Sequence, residues 1–84
     1  MYELVYSRES INNLKKLNKE IRKRIISGLE RIRIRPHNNI KKLVGVPYFA
    51  LRVGDYRIIL DIKNNELKIF VIEVGHRKNI YKKC

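Results

Sequence analysis

The sequence predicts an α+β fold in the order β-α-α-β-β-β, with a helical hairpin on one face of a small, mainly antiparallel four-stranded sheet. Three observations lead to this prediction. The chain opens with a short alternation of apolar and polar residues, continues with two segments in which apolar residues recur at helical spacing, and closes with three apolar runs separated by turn residues. Residues 1–84 are expected to form one domain, because a chain of this length has room for one core.

The first strand is predicted over Tyr2–Tyr6, where alternate residues share one side. Ser7 is a favourable helix cap, and apolar residues then recur at positions 11, 14 and 17 in a mostly polar segment. The first helix is therefore expected to end near Leu17.

Asn18 is predicted to cap a second helix, which Pro36 ends. Its apolar stripe consists of Ile21, Ile25, Leu29 and Ile32, and its opposite face carries Lys23, Arg24, Arg31 and Arg35. This basic face is compatible with a solvated surface or with contact to a nucleic-acid backbone. Residues 37–47 are predicted to be a loop that returns the chain to the sheet.

Gly54-Asp55 and Asn64-Asn65 are both predicted to be two-residue hairpin loops, because glycine and asparagine tolerate positive φ. The first loop places Arg52 directly opposite Arg57. Alternation along the three strands then assigns one face to the core, formed by Phe49, Leu51, Val53, Tyr56, Ile58, Leu60, Leu67, Ile69 and Val71.

The other face of the predicted sheet carries the two arginines beside apolar residues, namely Ala50, Ile59, Phe70 and Ile72. Like charges directly opposite each other destabilise a sheet, so an anion that neutralises both guanidinium groups would explain the pair. Alternatively, both side chains extend into water. Gly75-His76-Arg77 at the end of the last strand favours the anion site, because it adds a third guanidinium and an imidazole.

Composition restricts the classes of partner and compartment. Twenty Lys and Arg against eight acids give a net charge of +12, which favours polyanions such as nucleic acid. The single cysteine, Cys84, excludes an internal disulfide, and no apolar run is long enough to span a membrane. A cytoplasmic protein that does not bind membranes is expected.

Metal and cofactor chemistry are not expected, because the two histidines, His37 and His76, have no companion ligands at suitable spacing. The acidic residues in the C-terminal part of the chain, which is predicted to form three strands, are assigned to turns, a strand end or cross-strand pairs, such as Asp61 with Lys68. RNA cleavage without a metal remains open, since the ribose 2′-hydroxyl can act as the nucleophile. Arginines could then surround the phosphate, while His76 or Tyr81 transfers a proton or stacks on a base.

Three motifs carry a resemblance to a known family: Lys41-Lys42-Leu43-x-Gly45, Leu51-Arg52-Val53-Gly54-Asp55-Tyr56-Arg57-Ile58-Ile59, and Val74-Gly75-His76-Arg77 followed by Tyr81. Together they resemble the RelE-like branch of the RelE/ParE superfamily of toxin–antitoxin toxins, over nearly the whole chain. The resemblance implies a ribosome-dependent endoribonuclease that cuts messenger RNA in the ribosomal A site. It also implies a RelB-like antitoxin that wraps the toxin, in a complex that binds operator DNA.

The resemblance also assigns roles to residues. It implies a basic residue at Arg52, a transition-state-stabilising arginine at Arg57, and completion of the site by Arg77 and Tyr81. The basic residues Lys41, Lys42, Lys23, Arg24 and Arg31 are expected to contact RNA. The sequence departs from the family at Ala50, where the best-studied members carry a lysine, so either His76 is the base or the 2′-hydroxyl is activated by positioning alone.

Two other functions stay open. One is a ParE-like inhibitor of DNA gyrase without nuclease chemistry, and the other is a nucleic-acid-binding or regulatory protein whose catalysis has weakened, as Ala50 suggests. The apolar residues Ile59, Phe70 and Ile72 are expected to be covered by an acidic antitoxin segment or by the chain after Arg77.

Overall fold

The computed structural model describes residues 1–36 and 40–76. In chain order the elements are β1 (Glu3–Tyr6), α1 (Arg8–Lys15), α2 (Lys19–Ile34), β2 (Ile40–Lys42), β3 (Phe49–Val53), β4 (Tyr56–Lys63) and β5 (Lys68–His76). The strands form one sheet in the order β1-β5-β4-β3-β2, in which β1 runs parallel to β5 and the other neighbours are antiparallel. The predicted α+β class and helical hairpin are confirmed.

The predicted strand count of four is wrong, because Ile40–Lys42 is a fifth strand at the sheet edge rather than part of a loop. Its residues pair with β3, Ile40 opposite Leu51 and Lys42 opposite Phe49. Three residues, two of them lysines, are too few to show an alternation, so sequence pattern alone could not identify this strand.

Both helices begin at the predicted caps, where a side-chain oxygen satisfies an amide of the first turn. Ser7 Oγ accepts from Ser10 N at 3.0 Å, and Asn18 Oδ1 accepts from Ile21 N at 3.0 Å. The first helix ends at Lys15, two residues before the predicted position, while α2 ends at Ile34, just before Pro36. No helix among the described residues is long and apolar enough to cross a bilayer.

The main core lies between the helices and one face of the sheet. It is formed by Leu14, Ile25, Leu29, Ile32, Leu51, Ile58, Leu60, Ile62, Ile69, Val71 and Val74. The predicted stripe of α2 is confirmed, since Ile25 and Leu29 have no exposed surface. The basic residues predicted on the opposite side of α2 are exposed to solvent.

The first hairpin has the predicted register, with Val53 opposite Tyr56 across Gly54-Asp55, and Gly54 adopts a positive φ of 58°. The second predicted loop, Asn64-Asn65, is wrong, because Lys63 pairs with Lys68 and leaves a four-residue connection.

Two further predictions fail with that loop. Leu67 lies in the turn, with φ 52° and 52% exposure, instead of in the core. Asp61 is opposite Phe70 and forms an ion pair with Lys63 at 3.4 Å, instead of pairing with Lys68.

A β-bulge interrupts β5 at Ile72. Leu60 is opposite Val71 but Ile59 is opposite Glu73, so Ile72 is the additional residue of β5. Helix α1 holds the bulge from behind: Ser7 Oγ donates to the Ile72 carbonyl at 2.7 Å, and Val74 N donates to Asn13 Oδ1 at 3.0 Å. The bulge reverses the alternation of the strand, so Val74 is buried against the helices and Glu73 faces the other side of the sheet.

Candidate functional site

The sheet face opposite the helices carries the residues that the sequence singled out, and we call it the arginine face. Its central residues are Lys41, Ala50, Arg52, Arg57, Ile59 and Glu73, which the strand register places on one side. Arg52 is directly opposite Arg57, as predicted. The two arginine side chains therefore extend from directly opposed positions on neighbouring antiparallel strands.

The two arginines differ in exposure. Arg52 is exposed, and its Nε donates to the Gly54 carbonyl at 3.5 Å, whereas Arg57 is half-buried and its Nε is inaccessible to solvent. Two residues away along the same two strands lies a small apolar cluster around Ala50 and Ile59, which are each 7% exposed. Packing restricts the Arg57 side chain more than the Arg52 side chain, so Arg57 is the better defined binding group.

The apolar residues Ile59, Phe70 and Ile72, which were expected to need a cover, are partly covered, Ile59 and Ile72 within this cluster. Ile59 is buried, and Phe70 and Ile72 are half-buried. Leu43, Tyr48 and Ile72 pack against the cluster. Within the described residues, part of the cover therefore comes from the β2–β3 connection, a source that the sequence had not suggested.

His76 is not brought to the arginine face. It pairs with Tyr56, on the helix side of the sheet, and the two rings meet edge to face with centroids 5.6 Å apart. The predicted grouping of His76 with Arg52 and Arg57 assumed uninterrupted alternation along β5, which the bulge at Ile72 breaks. Arg77 and Tyr81 lie outside the described residues, so their roles stay predictions.

Glu73 is a residue of this face that sequence reasoning missed. It lies opposite Ile59, one position along the face from the Arg57–Gly75 pair, and it is half-buried. Strict alternation from Ile69 and Val71 would have directed Glu73 into the core. A carboxylate at a position that strict alternation assigns to the core was the available signal for a bulge, because burying an unpaired charge is costly.

Three of the predicted RNA-binding residues line a groove between α2 and β3, with a volume of about 650 Å³. Its lining is Lys23, Arg24, Ser27, Gly28, Arg31, Ile32, Leu51, Arg52 and Val53. None of these residues is acidic, so four cations surround the groove without a neutralising carboxylate in its lining. Arg52 belongs both to this groove and to the arginine face, and thereby connects them.

The two predicted RNA-binding lysines of β2 point in opposite directions. Lys41 is opposite Ala50 on the arginine face, whereas Lys42 is opposite Phe49 on the helix side. Both are exposed. Of this pair, only Lys41 shares a face with the paired arginines.

Fold and charge together define a small basic α+β domain with a cationic sheet face. The ParE toxin family of type II toxin–antitoxin systems (parDE) matches residues 4–81. A comparison with curated protein sequences gave no match.

Solved structures with the same fold include a chain of the RelB–RelE antitoxin–toxin complex from Methanococcus jannaschii, with 30% identity, TM-score 0.76, and coverage of 94% of this chain and 96% of that one. The RelBE2 complex from Mycobacterium tuberculosis gives 22% identity, TM-score 0.83, and coverage of 90% and 91%. The isolated Escherichia coli RelE toxin gives 23% identity, TM-score 0.81, and coverage of 99% and 94%. The chain belongs to the RelE/ParE superfamily of type II toxin–antitoxin toxins, and its fold is RelE-like.

Proposed function

We propose that this toxin is a ribosome-dependent endoribonuclease that cleaves messenger RNA in the ribosomal A site without a metal ion. The observation that carries the proposal is the direct opposition of Arg52 and Arg57 on a face that the helices leave uncovered. Two arginines at directly opposed positions can neutralise a phosphodiester, whose negative charge increases as the phosphorane forms.

In the proposed reaction, Arg57 and Arg52 bind the non-bridging oxygens of the scissile phosphate. The ribose 2′-hydroxyl attacks the phosphorus, and the bond to the 5′ oxygen breaks, which leaves a 2′,3′-cyclic phosphate and a 5′-hydroxyl. Arg77 and Tyr81 are expected to complete the site, as the resemblance to RelE implies. His76, whose ring packs against Tyr56 on the other face, is not assigned to proton transfer beside the arginines.

We further propose that a RelB-like antitoxin inhibits this toxin in the cytoplasm and that their complex binds operator DNA. The similar structures from M. jannaschii and M. tuberculosis are toxin–antitoxin complexes, which supports such a partner. The net charge of +12 favours an acidic segment. The exposed Val44 and Val46 of the β2–β3 connection offer apolar contacts beside the arginine face.

A second candidate function is inhibition of DNA gyrase, favoured by the match to the ParE toxin family. The two functions require different targets, so two assays separate them. In programmed ribosomes, we expect the purified toxin to cut the message at the A-site codon, to leave a cyclic phosphate, and to spare a message with a 2′-deoxyribose at that position. We expect no loss of gyrase supercoiling.

The opposite pattern, intact message with inhibited supercoiling, would assign the protein to the gyrase-inhibiting class. Stable binding to ribosomes with no cleavage would indicate a toxin whose catalysis has weakened, as the missing lysine at Ala50 suggested.

The groove between α2 and β3 is proposed to bind the RNA backbone. Replacing Lys23, Arg24 and Arg31 together by glutamate is expected to weaken RNA binding, because three phosphate contacts are lost. The slope of log Kd against log salt should fall by about 2, at roughly 0.7 per contact for single strands. Fluorescence anisotropy with a labelled RNA at several salt concentrations measures both quantities.

A triple replacement of Arg8, Lys15 and Lys16 by glutamate is the matched control, since these exposed residues on or next to α1 give the same change in net charge away from the groove. Equal losses in the two triple variants would mean that only net charge matters and that the groove is not a binding site.

A further inference from the structure

We propose that Glu73 is the general base that removes the proton from the attacking 2′-hydroxyl, an assignment that rests on the proposed endoribonuclease function. The reaction needs a proton acceptor, and a guanidinium cannot be one because arginine stays protonated in proteins. A carboxylate accepts protons and hydrogen bonds at neutral pH. The question is therefore which carboxylate lies beside the arginine pair.

The strand register places Glu73 next to Arg57. Arg57 is opposite Gly75 and Ile59 is opposite Glu73, so Glu73 is the diagonal neighbour of Arg57 on the same face. Diagonal neighbours in an antiparallel pair lie about 7–8 Å apart, a distance that long side chains can bridge. A phosphate held by Arg57 and the adjoining ribose hydroxyl fit within this span, so one nucleotide link can contact both side chains.

The other carboxylates described on the strands of this face, Asp61 and Glu3, are less suitable because they lie further from Arg57 in the strand register. Asp61 is four residues from Arg57 along β4, and Glu3 is opposite Lys68 on the edge strand β1, at the other end of β5. Lys41, opposite Ala50, offers an exposed ammonium, which is a proton donor rather than an acceptor. The geometry therefore favours Glu73 over the other titratable groups described on this face.

The position of Glu73 is fixed from the helix side. The two hydrogen bonds from α1 lie on either side of it in sequence, one to the carbonyl of Ile72 and one from the amide of Val74. A base must be held in a defined orientation to its substrate, and a backbone restrained at both neighbouring residues supplies this. The bulge that these bonds stabilise is also what directs the carboxylate toward the arginines instead of into the core.

The Glu73 carboxylate takes the proton of the 2′-hydroxyl as the 2′ oxygen forms its bond to phosphorus. The bond between phosphorus and the 5′ oxygen breaks, and the departing 5′ oxygen takes a proton from solvent water. Glu73 later returns its proton to solvent, so no oxidant, metal or additional reactant is consumed.

The test compares Glu73→Gln with wild type in single-turnover cleavage of message on programmed ribosomes. Glutamine keeps the shape and an acceptor oxygen of the side chain but cannot take a proton at neutral pH. We expect the cleavage rate to fall by about 10²–10⁴-fold, the usual contribution of a general base, with ribosome affinity unchanged within about twofold. Glu73→Asp should retain part of the rate.

Asp61→Asn is the matched control, because it removes one negative charge from the same face and should leave the cleavage rate unchanged. Circular dichroism and urea unfolding of each variant check that the fold is intact. If Glu73→Gln cleaves within a few-fold of wild type, or if Asp61→Asn loses as much rate, the assignment is overturned.

A substrate with sulfur in place of the 5′ leaving oxygen distinguishes a general base from a general acid at Glu73. A thiolate leaves without protonation, so this substrate does not need an acid. Glu73→Gln should remain slow on this substrate, and recovery of the rate would show that Glu73 acts as an acid instead. Absence of cleavage by the wild-type protein would overturn the proposed function and this assignment together, and it is distinguishable from a defect confined to the variant.

Discussion

Replacing Arg57 by alanine is expected to lower the single-turnover rate of message cleavage by about 10²–10³-fold and to relieve growth arrest in cells that express the toxin. Removing one preorganised donor to a transition-state oxyanion typically costs this much, and Arg57 is the more restrained of the two opposed arginines. Cleavage on programmed ribosomes and growth after induction measure the two effects, with the amount of protein compared by immunoblot.

Arg8→Ala is the matched control for this variant. Arg8 is exposed in the first turn of α1, so the change removes the same charge and side chain away from the site. Arg57→Lys should be intermediate, because lysine keeps the charge and loses the planar fork of donors. A toxin that is equally active with alanine at position 57 would refute the proposed role of the arginine pair.

Ile58→Ala is expected to destabilise the fold by about 2–5 kcal/mol, the range for large-to-small changes in a packed core. Ile58 has no exposed surface, and it is paired with Leu51 on one side and Val74 on the other. Urea unfolding followed by circular dichroism gives the free energy. Reduced toxicity of this variant would reflect a smaller folded fraction, not damaged chemistry.

The next residue along β4 supplies the comparison. Ile59 is 7% exposed and belongs to the small cluster with Ala50, so Ile59→Ala should cost less free energy of unfolding than Ile58→Ala. Arg57→Ala should cost the least of the three. If Arg57→Ala destabilised the protein as much as Ile58→Ala, its effect on toxicity would be a folding defect, and the catalytic assignment would lose its support.

Much of the fold could be predicted from the sequence because the relevant interactions are local. Ser7 and Asn18 cap helices through bonds to amides three residues away, and Gly54 supplies the positive φ that the first hairpin needs. That hairpin sets the register between its strands, so the opposition of Arg52 and Arg57 followed from a two-residue loop alone. The arginine pair at the centre of the candidate site was therefore predictable.

The second hairpin could not be predicted correctly from local composition. Asn64-Asn65 has a suitable composition for a two-residue loop, yet the turn includes Leu67 at positive φ, a conformation that local preference argues against for leucine. The strand β2, with three residues, depends on pairing with β3 for its existence. In both places tertiary pairing outweighed local preference.

By itself the sequence determined the α+β class, the caps, the first hairpin and the arginine pair, since each depends on residues close together in the chain. Only the tertiary structure decided on which face of the sheet each side chain at the end of β5 lies. The bonds that hold the bulge join Ser7 to Ile72 and Asn13 to Val74, residues more than sixty positions apart. Because side chains alternate with a period of two, that one additional residue placed Glu73 beside Arg57 and turned His76 toward Tyr56.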